Sequence, residues 1–298
     1  MTLQQLELIL AIADSGSIHS ACNVLGKTQP TLTKALKSLE EELGVPLFSR
    51  SSRGMTPTEL GKRTIARARI ICAETNTLKA EMAQLLGASK GQVAACASPL
   101  VAYAIMPSVI MDFRKQWPDI EINITEAVYP EALNRLREGF IDFNVGPSPE
   151  ESSVEFNEEI LFQSQLVAVA KSGSAFHKAR RVEELADAPW VVMSSQKGPG
   201  KLYNDMFTFN GISAPKRVIW LNSLTMVLEV VKKSDCCCLF PEQLLHASPQ
   251  EMGLKKIDLF QKSPSVPISL FTRHDSPLTP AAEALARLVR LHCTNFIR

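Results

Sequence analysis

The chain has 298 residues, 45% hydrophobic and 21% charged, with a net charge of +1 at neutral pH. That length exceeds one average domain and suggests two or three, and the composition excludes a disordered or fibrous chain. No apolar run approaches the roughly 18 residues that span a bilayer, and the basic charge is local: residues 26–69 carry nine Lys/Arg against four Glu, whereas residues 91–298 carry 21 against 23 acids. A basic amino-terminal module on a near-neutral body predicts a polyanion partner for that module alone.

The opening MTLQQLELILAIADSG places Gln4, Gln5 and Glu7 among its apolar residues and has no basic start, so it does not read as a signal peptide. Seven cysteines without any C-x-x-C pair predict reducing cytoplasm rather than a disulfide framework. In SGSIHSACNVLGK, Ser17 is a good N-cap, Ile18–Leu25 a two-turn helix and Gly26 a left-handed terminator. Thr28 then caps a second helix whose Pro30 falls in the first turn, where a missing N–H costs nothing. That helix is striped by Leu32, Leu36, Leu39 and Leu43 and ended by Gly44. Helix, short glycine turn, helix is the helix-turn-helix arrangement, whose second helix enters the DNA major groove. Gln29, Thr31 and Thr33 supply groups able to reach base edges, while Lys34 and Lys37 can neutralise phosphates. The acids Glu40, Glu41 and Glu42 are held back to the far end.

VPLFSRSSRGM predicts two short strands, Val45–Phe48 and one at Met55, around the tip Arg50-Ser51-Ser52-Arg53-Gly54, a basic wing for an adjacent minor groove. Thr56-Pro57-Thr58-Glu59 reads as a capping box between Thr56 and Glu59 with Pro57 at the first helical position. The helix so begun runs to about Leu86, with Gly87 as terminator. Thr64, Ala68, Ile71, Thr75, Leu78, Met82 and Leu85 form a weak coiled-coil seam along it that asks for a partner helix, most simply that of a second subunit.

GSIHSACNVLGKTQPTLTKALKSLEEELGVPLFSRSSRGMTPTELG resembles the amino-terminal signature of LysR-type transcriptional regulators over about 45 contiguous residues. In that family a (S/T)QP(A/T)(L/V)S core opens the recognition helix, and LGxxLFxRxxRxxxLTxxG closes the module. Thr28 and Thr33 stand where serine is commoner, Cys22 where alanine is commoner, and Pro57 within the usual (L/V)T region. The resemblance implies a winged helix-turn-helix over residues 1–58 and a linker and dimerisation helix over 59–88. An α/β effector domain follows over 89–298, two-lobed like type 2 periplasmic binding proteins. The implied DNA-binding residues are Thr28, Gln29, Pro30, Thr31, Thr33, Lys34, Lys37, Arg50 and Arg53. The implied partners are double-stranded promoter DNA, a small effector, a second copy as homodimer pairing into a homotetramer, and RNA polymerase. No membrane and no cofactor other than the effector are expected.

In the body, Val93–Ala97 reads as a strand, Leu100–Gln116 as a helix, and Ile120, Ile122 and Ile124 as a second strand. REGFIDFNVGPSP resembles the family's (G)xLDxAIG strand end, and NSLTMVLEVVKKSDCCCLFPEQL its second-lobe segment, with Ser234-Asp235-Cys236 replacing the usual Gly-x-Gly. Lobe I is expected over about 91–161 and 268–298, lobe II over about 162–267. Ser98, Ser194 and Ser223 each follow or bound a predicted strand and precede a helix or loop, where helix N-termini attract anions and open α/β sheets hold ligands. Ser98, Pro99, Leu100, Val101, Gly146, Ser194, Ser223 and Phe240 are the candidate effector-binding residues. A small organic anion is expected, an aromatic carboxylate or sulfonate among the candidates.

Cys236-Cys237-Cys238 invites a metal reading, but adjacent strand positions point to alternate faces and cannot easily converge on one ion. None of His177, His246 or His274 lies at ligand spacing to them, so they read as buried small apolar residues. Two other functions compete: a transport solute-binding protein, favoured by the two-lobed body alone, and a cytosolic α/β enzyme. The 88-residue amino-terminal module counts against the first, and the lack of G-x-S-x-G, a Gly-rich phosphate loop, H-E-x-x-H or an EF-hand loop against the second.

Overall fold

The computed structural model describes residues 1–51, 54–87, 90–150, 154–194, 198–247, 252–274 and 276–297. The chain divides into two compact units, Met1–Leu86 with Arg137–Phe140, and Gly87–Leu136 with Ile141–Arg298.

The first unit opens with α1 (Leu3–Ser15), started by a Thr2/Gln5 capping box, then α2 (Ile18–Leu25), capped by the Ser17 hydroxyl on Ser20 N–H. Next comes α3 (Gln29–Leu43). Gly16, Gly26 and Gly44 end the three helices at φ 73°, 62° and 71°, a region that favours glycine. Leu32, Leu36 and Leu39 of α3 bury against Leu6, Ile9, Ile12 and Ile18 in one apolar core. The wing strands are β1 (Phe48–Ser51) and β2 (Gly54–Pro57), paired antiparallel with Ser49 opposite Thr56. β2 holds the expected Met55, while β1 lies three residues later than the expected Val45–Phe48, because Leu47 is buried in the core and its carbonyl is taken by Thr58 N–H at 2.9 Å.

The long helix α4 (Glu59–Leu85) is capped by Thr58, whose hydroxyl accepts Gly61 N–H at 2.9 Å, not by the expected Thr56 box. Thr56 and Pro57 are committed to β2 by strand pairing, which shifts the start by two residues. Gly61 is required there: a Cβ would stand 1.9 Å from Leu47 O. The expected seam divides in the structure. Ala68 is 1% exposed and belongs to this unit's own core beside Ile65, while Ile71, Leu78, Met82 and Leu85 are exposed.

The second unit begins with β3 (Gly91–Ala97), α5 (Pro99–Ala104), α6 (Met106–Gln116), β4 (Ile120–Glu126), α7 (Glu131–Arg137) and β5 (Phe143–Pro147). The single helix expected over Leu100–Gln116 is thus two, broken at Ile105. Pro107 lies in the first turn of α6, where its ring disfavours continued α geometry in the chain before it. The sixteen-residue β6 (Phe156–Lys171) follows, then β7 (Trp190–Met193), α8 (Lys201–Thr208), β8 (Val218–Leu221), α9 (Leu224–Lys233) and β9 (Cys237–Pro241). The chain ends with α10 (Glu242–Ala247), β10 (Leu254–Lys256), β11 (Ser265–Arg273) and α12 (Pro280–Phe296).

The strand order is β4-β3-β5-β11-β6-β9-β7-β8, with β10 added on β6. β3 pairs parallel with β4 and β5, and β7 parallel with β8 and β9. The two parallel sets are joined by antiparallel β6 and β11. β6 lies against β11 up to Gln165 and against β9 from Leu166. The β6–β11 register slips between Ile268 and Ser269, where Phe162 faces Ile268 and Ile160 faces Ser269. One core, including Val93, Phe113, Phe162, Val227, Phe240 and Leu285, underlies both sets. A second packs Trp190, Tyr203 and Phe207 with ring centroids 5.3–5.5 Å apart.

Candidate DNA-reading face and effector cleft

Helix geometry decides which polar residues of α3 share a face. Positions 29, 33 and 37 recur every four residues, as do 30 and 34, so they stack on one side. Gln29, Pro30, Thr33, Lys34 and Lys37 accordingly line one shallow surface depression. Thr31 lies outside it: its hydroxyl is 2.9 Å from that of Thr28, so these two threonines satisfy each other beside the face. Thr28 begins the helix as expected, but its side chain makes no capping bond. Lys37 makes an exposed ion pair with Glu41 at 3.6 Å, the kind of contact that a phosphate displaces at little cost. Arg50 belongs to β1 by its backbone; its side chain and the whole of Arg53 lie outside the described residues.

The acids behind this face have a structural use that the sequence reading missed. Glu40 Oε1 accepts the N–H groups of Leu47 at 2.7 Å and Phe48 at 3.3 Å, satisfying two backbone donors where the chain leaves the helix for the wing. No local motif marks such a bond, which joins residues seven and eight apart.

In the second unit, Ser98 and Ser194 immediately follow the parallel strands β3 and β7. Each is nearly fully buried, at 3% and 4% exposure, and neither hydroxyl has a hydrogen-bond partner among the described residues. Gly146 lets β5 approach Ser98: a Cβ there would stand 3.3 Å from the serine Cβ, and Ser98 N–H donates to Val145 O at 2.8 Å. Ser98 precedes α5 but makes no side-chain cap. Ser223 differs, because its hydroxyl is engaged by Met226 N–H at the start of α9. Pro99 is half-buried, whereas Leu100, Val101 and Phe240 lie inside the main core, Val101 and Phe240 at 0% exposure.

Two further polar groups here escaped the sequence reading. Asn144 of β5 is 2% exposed and its Oδ1 has no partner among the described residues. Glu126, the exposed last residue of β4, lies near the Leu224 backbone at the start of α9, and desolvation raises its carboxyl above the usual range. The cysteine run separates by face, as alternation requires: Cys236 and Cys238 enter the core shared by both strand sets, Cys237 the aromatic core. Burial pushes the Cys237 thiol up to about 12 and raises that of Cys238 as well. Among the described residues no helix is long and apolar enough to cross a membrane.

Comparison with known proteins places both units. Residues 3–62 match the model of bacterial regulatory helix-turn-helix proteins of the lysR family, and residues 87–294 that of the LysR substrate binding domain. The HTH-type transcriptional regulator GbpR of Azospirillum brasilense is 29% identical over 97% of this chain and 86% of its own. A probable nitrogen assimilation transcriptional activator of Synechococcus elongatus is 30% identical over 82% of this chain and 80% of its own. The crystal structure of CbnR, a LysR family transcriptional regulator, shares the fold with a TM-score of 0.68 at 18% identity, over 98% of this chain and 99% of that one. The chain belongs to the LysR family of DNA-binding transcriptional regulators.

Proposed function

We propose that this regulator reads operator DNA through the α3 face of Gln29, Thr33, Lys34 and Lys37, and that a small organic acid bound in its second unit switches it. Aromatic carboxylates and sulfonates head the candidates. The carrying observation is the pair of buried, unpartnered hydroxyls, Ser98 Oγ and Ser194 Oγ, at the ends of parallel strands. An unsatisfied buried polar group costs about 1–3 kcal/mol, and its presence calls for an occupant or a functional use. An acid oxygen supplies the missing acceptor.

Lobe I, about 91–161 with 268–298, and lobe II, about 162–267, are proposed as the walls of the cleft. The β6–β11 register slip and the change of β6 partner fall beside their junctions, which supports that division. CbnR has been solved bound to its target DNA, which supports the DNA reading. A homodimer through the exposed stripe of α4, pairing into a homotetramer, completes the proposal, with RNA polymerase as a further partner. Ligand binding shifts an equilibrium between subunit arrangements by its differential affinity for them. Calorimetry on the full chain with aromatic and aliphatic acids tests the cleft. A hit that binds Ser98→Ala and Ser194→Ala as tightly as wild type places the ligand elsewhere.

A further inference from the structure

We infer that the effector carries a hydroxyl beside its acid group, and that Asn144 is the residue that reads it. This deepens the proposed effector site and rests on it. Alternation along β5 sends Phe143 and Val145 to the main core and Asn144 to the other face. In β3 the same rule sends Val93, Ala95 and Ala97 to the main core, and Ala94 and Cys96 to the opposite side. Cys96 is the register partner of Asn144, so both stand on that opposite side. Ser98 continues the alternation on the side of Cys96, with extended backbone at φ −65° and ψ 159°, and its N–H donates to Val145 O at 2.8 Å. A Cβ on Gly146, two residues beyond Asn144, would stand 3.3 Å from Ser98 Cβ and 3.8 Å from Ser98 Oγ. Asn144 and Ser98 are therefore diagonal neighbours on one face of adjacent strands. Such positions lie roughly 7–8 Å apart, a distance that one small molecule spans.

Both residues are buried, at 2% and 3% exposure, and neither Asn144 Oδ1 nor Ser98 Oγ has a partner among the described residues. The next strand of the same sheet behaves differently. Ser269, opposite Gly146 in the β5–β11 register, is 0% exposed, yet its hydroxyl lies 2.7 Å from that of Ser148 and donates to Glu158 Oε1 at 2.9 Å. A buried polar side chain is thus satisfied internally one strand away, while the adjacent pair is left open, and an open buried group calls for an occupant or a functional use. The chemistry of the pair narrows that occupant. An ionised acid has only acceptors: it suits the Ser98 hydroxyl and offers nothing to Asn144 Oδ1. A hydroxyl both donates and accepts, which matches an amide. An ammonium beside a neutral amide would be a buried charge without a counter-ion. In GFIDFNVG, moreover, Asn144 stands at the alanine of the (G)xLDxAIG pattern, so the amide belongs to this chain rather than to the strand end in general.

The test is calorimetry on the full chain with matched pairs that differ in one hydroxyl: butanoate with 2-hydroxybutanoate, 3-phenylpropanoate with 2-hydroxy-3-phenylpropanoate, and benzoate with 3-hydroxybenzoate. One hydroxylated member is expected to bind about tenfold or more tighter than its parent. Asn144→Ala should erase that preference by weakening the hydroxylated member alone, and Ser98→Ala should weaken both members. Melting the protein without any acid gives a second reading. An amide that bonds to nothing can be removed without harm, so Asn144→Ala should melt no lower than wild type. A midpoint lower by roughly 4 °C or more makes the amide part of the fold's own bonding and overturns the inference. Parent acids that bind as tightly as their hydroxylated partners, with Ser98→Ala still weakening them, also overturn it and leave the cleft standing. If no pair binds, or the serine variant changes nothing, the cleft reading fails and this inference falls with it.

Discussion

Glu40 gives the sharpest test of how the DNA-reading unit holds its wing. Its Oε1 serves two backbone donors, Leu47 N–H at 2.7 Å and Phe48 N–H at 3.3 Å, on residues 0% and 7% exposed. Those donors have little access to water once the carboxylate is gone. Hydrogen bonds to charged groups contribute about 1.5–3 kcal/mol each, and the longer of the two counts for less, so Glu40→Ala should cost about 2–3 kcal/mol. In a domain of this size about 1 kcal/mol lowers the midpoint by roughly 4–8 °C. Removing a negative charge from a DNA-facing module also favours phosphate contact, so two effects oppose each other. Glu40→Gln separates them: it removes the same charge but keeps an amide oxygen as acceptor, and should lose about half as much stability. Hydrogen exchange at the Leu47 and Phe48 amides reads the local effect, and a melt followed through the first unit reads the global one. Amides that stay as protected in Glu40→Ala as in wild type, with a loss below about 0.5 kcal/mol, refute the clamp.

The remaining predictions are simpler. Lys34→Ala and Lys37→Ala should weaken binding to operator and random DNA alike and flatten the salt slope by about one unit each; an effect confined to the operator would mean base reading instead. Gln29→Ala should reduce discrimination between sites by roughly 1–3 kcal/mol if its contact is bidentate, and Thr31→Ala should do less, since that hydroxyl is bonded to Thr28 beside the face. Leu78, exposed in one chain, should tolerate Asp without loss of fold, yet Leu78→Asp should sediment as smaller species and lose operator affinity, because the charge enters an apolar contact unpaired; an unchanged oligomer removes the α4 seam. A thiol reagent at pH 8 should modify the half-buried Cys22 and Cys72 before any of the buried Cys236, Cys237 and Cys238, the last two with raised thiols. Mass spectrometry that finds the run modified in native protein refutes that order.

What the sequence showed was mostly what a few neighbouring residues decide. Gly26, Gly44 and Gly87 are read as terminators because a positive φ is needed within one turn of the helix end, and all three adopt it. Pro30 sits in the first turn of α3 for an equally local reason. The cap of α4 was misplaced because Thr56 and Thr58 are equivalent as isolated signals. The choice between them is made by β1, whose register takes Thr56 into the hairpin. At Ile105 the signal was present in Pro107, but apolar spacing continues across the break and hides it. Thr31 was grouped with Gln29 and Thr33 by chemistry, whereas a helix groups by spacing.

On the candidate effector side, strand ends were legible in the sequence and contacts between residues distant in sequence were not. Ser98 and Ser194 can be read from strand followed by polar residue. Glu126 looks like any acid at a strand's edge until α9 is brought against it. Leu100, Val101 and Phe240 illustrate a further distinction. Placed in the site by resemblance, they are buried in the core that underlies both strand sets. Substitutions there act first through packing, where one large-to-small change costs about 2–5 kcal/mol, and would change ligand response only by moving the strand ends in front of them. The polar groups proposed to face an occupant are few, and two of them are hydroxyls that differ from ordinary helix caps in one respect: Ser223 is satisfied by its own helix, while Ser98 and Ser194 have no partner among the described residues. That difference, rather than residue type or position, is why Ser98 and Ser194 are proposed as ligand contacts and Ser223 is read as a structural cap.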